Sequence, residues 1–171
     1  MRLKSITIIF LLVLYHSNSY SQVSPDYLVI RNGIVFRVTD TIPYTGDIAG
    51  VLKNRSVVRS IGACPGYFWN RLEELNITGS FLNGFENGQW KFLSEDGTLL
   101  GKCFFINGML HGRLVIFHYN GRKRKEEYYR KGQINGIQRV WDENGVLIVK
   151  RRFIHGVLIK TYRDTKEGDW G

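Results

Sequence analysis

Four glycines, Gly84, Gly108, Gly132 and Gly156, stand 24 residues apart. Three positions before each comes an aromatic residue: Phe81, Phe105, Tyr129 and Phe153. Gly88, Gly112 and Gly136 follow the first three at a distance of four, with Lys160 in the fourth place, and Gly97, Gly121 and Gly145 follow at thirteen. Columns that keep one period without a gap imply an internal repeat, and a repeat restricts the chain to units that cover one another's apolar faces. Twenty-four residues hold two short strands and two turns, whereas a helix–turn–helix repeat takes about ten more.

Turn chemistry separates the strand-like runs. Ser94-Glu95-Asp96-Gly97, His118-Tyr119-Asn120-Gly121 and Asp142-Glu143-Asn144-Gly145 all end in Asp-Gly or Asn-Gly. Glycine there supplies the positive φ that closes a hairpin with a bulge. The stretch from Asn83 to Gly88 and its equivalents read as a second connection of six residues, opened and closed by glycine. The expected fold is all-β, an antiparallel β-meander repeat array built from 24-residue hairpin units over residues 77–171. Alternation puts Trp90, Phe92, Leu114, Ile116 and Val140 on one side, interrupted by Gln138. Lys91, Leu93, Val115, Phe117, Arg139 and Trp141 point the other way. Stacked along the array, each ring of the Phe81 column contributes about 2–3 kcal/mol when buried. With 43% hydrophobic residues, ten Phe, nine Tyr and four Trp, neither a disordered chain nor a coiled coil is expected.

These residues carry a family resemblance. Asn107-Gly108-Met109-Leu110-His111-Gly112, the strand aromatics Trp90, Phe117 and Trp141, and the Asp/Asn-Gly turns resemble the variant MORN repeat. The likeness is to the bacterial YwqK-type group in particular, many of which are labelled toxin–antitoxin family antitoxins. It covers about residues 77–160, and departs from the pattern where Leu114 and Gln138 replace Trp90. The resemblance implies an antitoxin-like or scaffold role through protein–protein contact.

Residues 1–21 read as a signal peptide. Arg2 and Lys4 precede an apolar stretch from Ile6 to Tyr15, and Ser19 and Ser21 put small residues before Gln22. The stretch falls short of the roughly 20 apolar residues that a membrane span needs. Export to the periplasm or the exterior is expected, with Gln22 as the first mature residue. Residues 22–76 form a divergent N-terminal β segment, with Tyr44-Thr45-Gly46 as a turn and strand start, that caps the sheet edge. From Ile61 to Asn76 an insertion interrupts it, in which Asn70 and Glu73 cap a short helix over Leu72 and Leu75. Cys64 in the insertion and Cys103 are candidates for one disulfide, with two unpaired thiols as the alternative.

No P-loop, dinucleotide fingerprint or metalloprotease helix is present, and an enzyme is not expected. His111 and His155 sit at repeat-turn positions, and nothing singles out His118, so neither metal nor cofactor is expected. Without the leader the charge falls from +9 to 22 − 15 = +7. All of that excess lies beyond residue 100, where fifteen Lys and Arg face seven Asp and Glu. Lys91, Arg139 and Arg163 share a column at the 24-residue period and, with Phe117 and Trp141, make a candidate binding stripe. The function expected is that of an exported, non-catalytic β-repeat binding or scaffold protein with a protein partner. The alternative is a binder of anionic lipid or cell-wall polymer through a basic C-terminal face. An exported chain is not expected to meet nucleic acid.

Overall fold

The computed structural model describes residues 22–51 and 75–162. The leader, the helix cap at Asn70 and Glu73, Cys64 and Arg163 lie outside the described residues.

The described residues are all-β, and every strand pair is antiparallel, as expected, beside one isolated parallel bridge between Val23 and Ile48. A single 3-10 turn, Pro25–Tyr27, opens them and leads into a two-stranded hairpin of β1 (Leu28–Arg31) and β2 (Ile34–Arg37). The main sheet comprises β3 (Gly46–Val51), β4 (Asn76–Leu82), β5 (Phe85–Leu93), β6 (Leu99–Ile106), β7 (Met109–Leu110), β8 (Gly112–Phe117), β9 (Lys123–Arg130), β10 (Gln133–Ile134), β11 (Gly136–Trp141), β12 (Leu147–Ile154) and β13 (Val157–Tyr162). Its spatial order, β13-β12-β11-β9-β8-β6-β5-β4-β3 with β7 on β6 and β10 on β9, is a hairpin meander. Strand β3 belongs to this sheet although it lies in the divergent segment.

Two turn types alternate. At Gly97, Gly121 and Gly145 the glycine N–H donates to the carbonyl three residues earlier, at 3.0, 2.9 and 3.1 Å. Their φ values are 85, 78 and 89°, and each ladder shifts register beside the turn, which is the three-residue hairpin with a bulge. The other type differs from the six-residue connection expected from Asn83 to Gly88. Asn83-Gly84, Asn107-Gly108, Lys131-Gly132 and His155-Gly156 each hold two successive positive φ values, 48–52° and 73–81°. That makes a two-residue type I′ turn, and the strand resumes immediately after it. Asn32-Gly33 joins β1 to β2 in the same way.

Beyond the tight turns at Gly84, Gly108 and Gly132 the strand pairs briefly, then kinks at Gly88, Gly112 and Gly136, all at positive φ. The hairpin tips are tied together in series. Gly108 N–H donates to Glu86, Gly132 to Leu110 and Gly156 to Ile134, each at 2.8–2.9 Å, and Gly84 donates to Tyr44 at 2.7 Å.

The core is richest at the N-terminal end. Trp90 stands edge-on to Phe81 and Phe105, with centroids 5.2 and 6.0 Å away, and Tyr44 meets Phe81 at 6.1 Å. Ile48, Ile77, Phe92 and Leu110 complete the cluster, which Val35 and Leu28 of the first hairpin close. The expected column of rings is thus bridged by Trp90, and its later members Tyr129 and Phe153 are only half-buried. Core positions turn polar along the sheet: Trp90 gives way to Leu114 and then Gln138, and Cys103 to Glu127 and then Arg151. Buried Glu127 accepts from Gln138 Nε2 (2.5 Å) and Tyr129 Oη (3.0 Å), and pairs with Lys125 Nζ at 2.8 Å.

Candidate binding face

Directly opposed residues of neighbouring strands share a face. The register runs Thr78–Lys91–Lys102–Val115–Glu126–Arg139–Lys150–Tyr162, one row crossing eight strands on the side away from Trp90 and Phe92. One step along the strands lie two pieces of a parallel row, Arg113 opposite Tyr128, and Ile137–Arg152–Lys160. In these rows seven cations, Lys91, Lys102, Arg113, Arg139, Lys150, Arg152 and Lys160, stand with one carboxylate, Glu126.

Of the stripe expected from sequence, Lys91 and Arg139 lie in the same row. Phe117 and Trp141 sit two residues beyond row members on β8 and β11, on the same face. Tyr162 closes the row, next to Arg163, which lies outside the described residues. Sequence reading missed Lys102, Arg113, Lys150, Arg152 and Lys160. The signal was available in the hairpin register, because counting back from the turns sets Lys102 opposite Lys91 and Lys150 opposite Arg139.

Glu126 is buried and serves three cations: Arg113 Nη2 contacts its Oε1, Lys123 Nζ lies 3.5 Å from the same oxygen, and Arg139 Nη1 lies 3.8 Å from Oε2. Three pairs of cations stand directly opposite one another, and of these Lys91–Lys102 and Arg152–Lys160 have no carboxylate paired to either member among the described residues. Lys91 faces Lys102, Arg139 faces Lys150, and Arg152 faces Lys160. Aromatic rings intervene: Lys123 Nζ lies 5.6 Å from the Trp141 centroid, and Lys150 and Lys160 lie 4.7 and 4.6 Å from that of Tyr162. Arg124, the extra residue of a bulge, has its guanidinium pKa lowered by burial, with Glu143 opposing. It remains a cation at neutral pH.

The remaining candidates take structural places. His118 Nε2 lies 3.0 Å from the Trp141 carbonyl, and the His155 amide donates to Asn135 Oδ1 at 3.3 Å. Cys103 is buried, without a disulfide partner among the described residues. Among those residues no group of three His, Cys, Asp or Glu side chains is placed to hold a metal ion. No protein-family model, no curated protein and no solved structure matches this chain.

Proposed function

We propose that this chain is an exported, non-catalytic array of MORN-like 24-residue units that binds an acidic protein partner through its basic face. One observation carries the reading: two pairs of like charges, Lys91–Lys102 and Arg152–Lys160, stand directly opposite one another on that face without a paired carboxylate among the described residues. Each such pair destabilises the sheet, by analogy with the few tenths to about 1 kcal/mol that opposed pairs contribute. An acidic surface docked across the row offsets the repulsion, so the arrangement costs the free protein and favours the complex. The antitoxin-like resemblance of the repeat supports a protein as the partner. The leader-like segment with Arg2, Lys4 and the Ile6–Tyr15 run supports export. A second reading, attachment to anionic lipid or cell-wall polymer, draws on the rings of Tyr128, Trp141 and Tyr162 among the cations, since such rings favour interfaces.

A photo-reactive residue placed at Thr78, at the end of the row, tests both in producing cells. The expected result is one discrete protein adduct that disappears in about 1 M salt, where the Debye length is only about 3 Å. Adducts to lipid or polymer would favour the second reading. Adducts that salt leaves untouched would overturn both.

A further inference from the structure

The basic face opens between β6 and β8. Strand β6 pairs β8 at Gly101–Ile116 and Lys102–Val115, but pairs β7 at Phe105–Leu110 and Ile106–Met109. Between these stretches Gly112 turns the chain at φ 67°, and the His111 N–H donates to the Phe104 carbonyl at 2.8 Å. The gap forms a cavity of about 360 Å³ whose wall includes Gln89, Lys102, Phe104, His111 and Arg113. That volume lies at the lower end of the range for small-molecule sites.

Its charges are poised for a ligand. Lys102 is half-buried, and its ammonium group has no hydrogen bond or ion pair among the described residues. Arg113 is oriented by its contact with Glu126, and a guanidinium with five N–H donors keeps some for another acceptor. Phe104 leaves 41% of its surface exposed at the rim.

Backbone geometry alone does not explain this set, because the same opening recurs 24 residues later. There β9 pairs β11 at Glu126–Arg139 and Lys125–Val140, pairs β10 at Arg130–Gln133 and Tyr129–Ile134, and accepts from the Asn135 N–H at Tyr128, 2.7 Å away. The places of Lys102, His111 and Arg113 are taken there by Glu126, Asn135 and Ile137. Gln89 and Val115 are replaced there by Arg113 and Arg139, but both pair with Glu126, whereas Lys102 in the first opening has no ion pair among the described residues.

We infer that the opening between β6 and β8 binds the phosphate of a small phosphorylated polyol or sugar. Lys102 and Arg113 hold an anion that carries up to about two negative charges at neutral pH. Gln89 and His111 take hydroxyl groups, and Phe104 covers the carbon skeleton. The inference rests on the reading of this face as a surface for anions, and narrows it to a discrete site.

The test is an NMR titration of the full chain with glycerol phosphate, alongside inorganic phosphate and phosphatidylglycerol vesicles. Saturable shifts are expected at the amides of residues 102–104 and 111–113, with glycerol phosphate binding more tightly than inorganic phosphate. Lys102→Gln and Arg113→Gln should each weaken it about tenfold or more, as for a lost charge-assisted hydrogen bond. Lys131→Asn, which removes a cation from a turn tip at φ 51° that asparagine tolerates, should leave it unchanged. Shifts spread evenly over the face, or binding indifferent to Lys102→Gln, would overturn the proposal. So would binding of vesicles that glycerol phosphate does not displace. Polyglutamate separates this failure from that of the parent reading. If it still binds in a salt-dependent way the face stands without the pocket, and if it does not, both fall.

Discussion

A methyl group added at Gly79 would lie 2.2 Å from the Trp90 ring, inside the aromatic cluster. At Gly121 the same methyl would meet nothing within 4 Å, but the backbone sits at φ 78°. The two glycines are needed for different reasons, and substitution should separate them. Gly79→Ala pushes Trp90 off Phe81 and Phe105, with an expected loss of about 1–3 kcal/mol from overpacking. Gly121→Val should lose about 1–2 kcal/mol through backbone strain, and Gly121→Asn less, since asparagine tolerates the left-handed region. Thermal melts of the three variants check this; equal midpoints for valine and asparagine would show that the turn's φ does not matter. Asp96, in the preceding turn, has its carboxyl pKa held below the usual value by the Ser94 hydroxyl first and then by the Thr98 N–H at 3.0 Å. A lowered pKa contributes stability above the ordinary aspartate value, and that contribution is lost as pH falls through the lowered one. Ser94→Ala should move the Asp96 titration back up toward the ordinary value, as read by carboxyl-carbon NMR.

Hairpins β8–β9 and β11–β12 share a backbone plan but not a core. Glu127 is buried where Cys103 stands one unit earlier, and it accepts from Gln138, which replaces Leu114. Gln138→Leu should therefore destabilise by about 1–3 kcal/mol, because it removes a donor from a buried carboxylate. The double change Glu127→Leu with Gln138→Leu should recover most of that loss, since Lys125, a third exposed, can turn to water. Denaturant midpoints of the single and double variants measure the coupling, and additive losses would mean that the pair is not one unit. The glycine columns made the hairpins legible in the sequence, because a positive φ leaves little choice of residue. The tight turns were harder to see, since Lys131 and His155 occupy places where Asn83 and Asn107 advertise a type I′ turn. Asn32-Gly33 was hidden further, because it lies 51 residues before Asn83-Gly84, which is off the 24-residue period. Half of the basic row was hidden for another reason. Lys102, Glu126 and Lys150 form a column of mixed sign, and its meaning appears only when the cross-strand register sets it beside Lys91 and Arg139.

Across the whole molecule, apolar cohesion and charge are separated. One side of the sheet holds Trp90, Phe92 and Phe105, with the β1–β2 hairpin closing the cluster, and the opposite side collects cations faster than it collects carboxylates. The first side stabilises the array and the second works against it, so changes on the basic face should move stability and binding in opposite directions. Lys91 is the place to measure this. It is exposed, stands opposite Thr78 on one side and Lys102 on the other, and lies outside the cavity wall. Lys91→Glu turns a repulsive cross-strand pair into an attractive one, a gain of a few tenths to about 1 kcal/mol. For a chain of this length that corresponds to a midpoint higher by about 1–4 °C. The same change places a negative charge in the row and should weaken salt-dependent binding of polyglutamate, chiefly through slower association. A paired measurement, thermal melt and binding at low salt on one sample, decides the matter. If Lys91→Glu lowers the midpoint, the opposed lysines do not repel as the register implies. If it raises the midpoint and leaves binding intact, the cations of this row do not carry the binding proposed for this face.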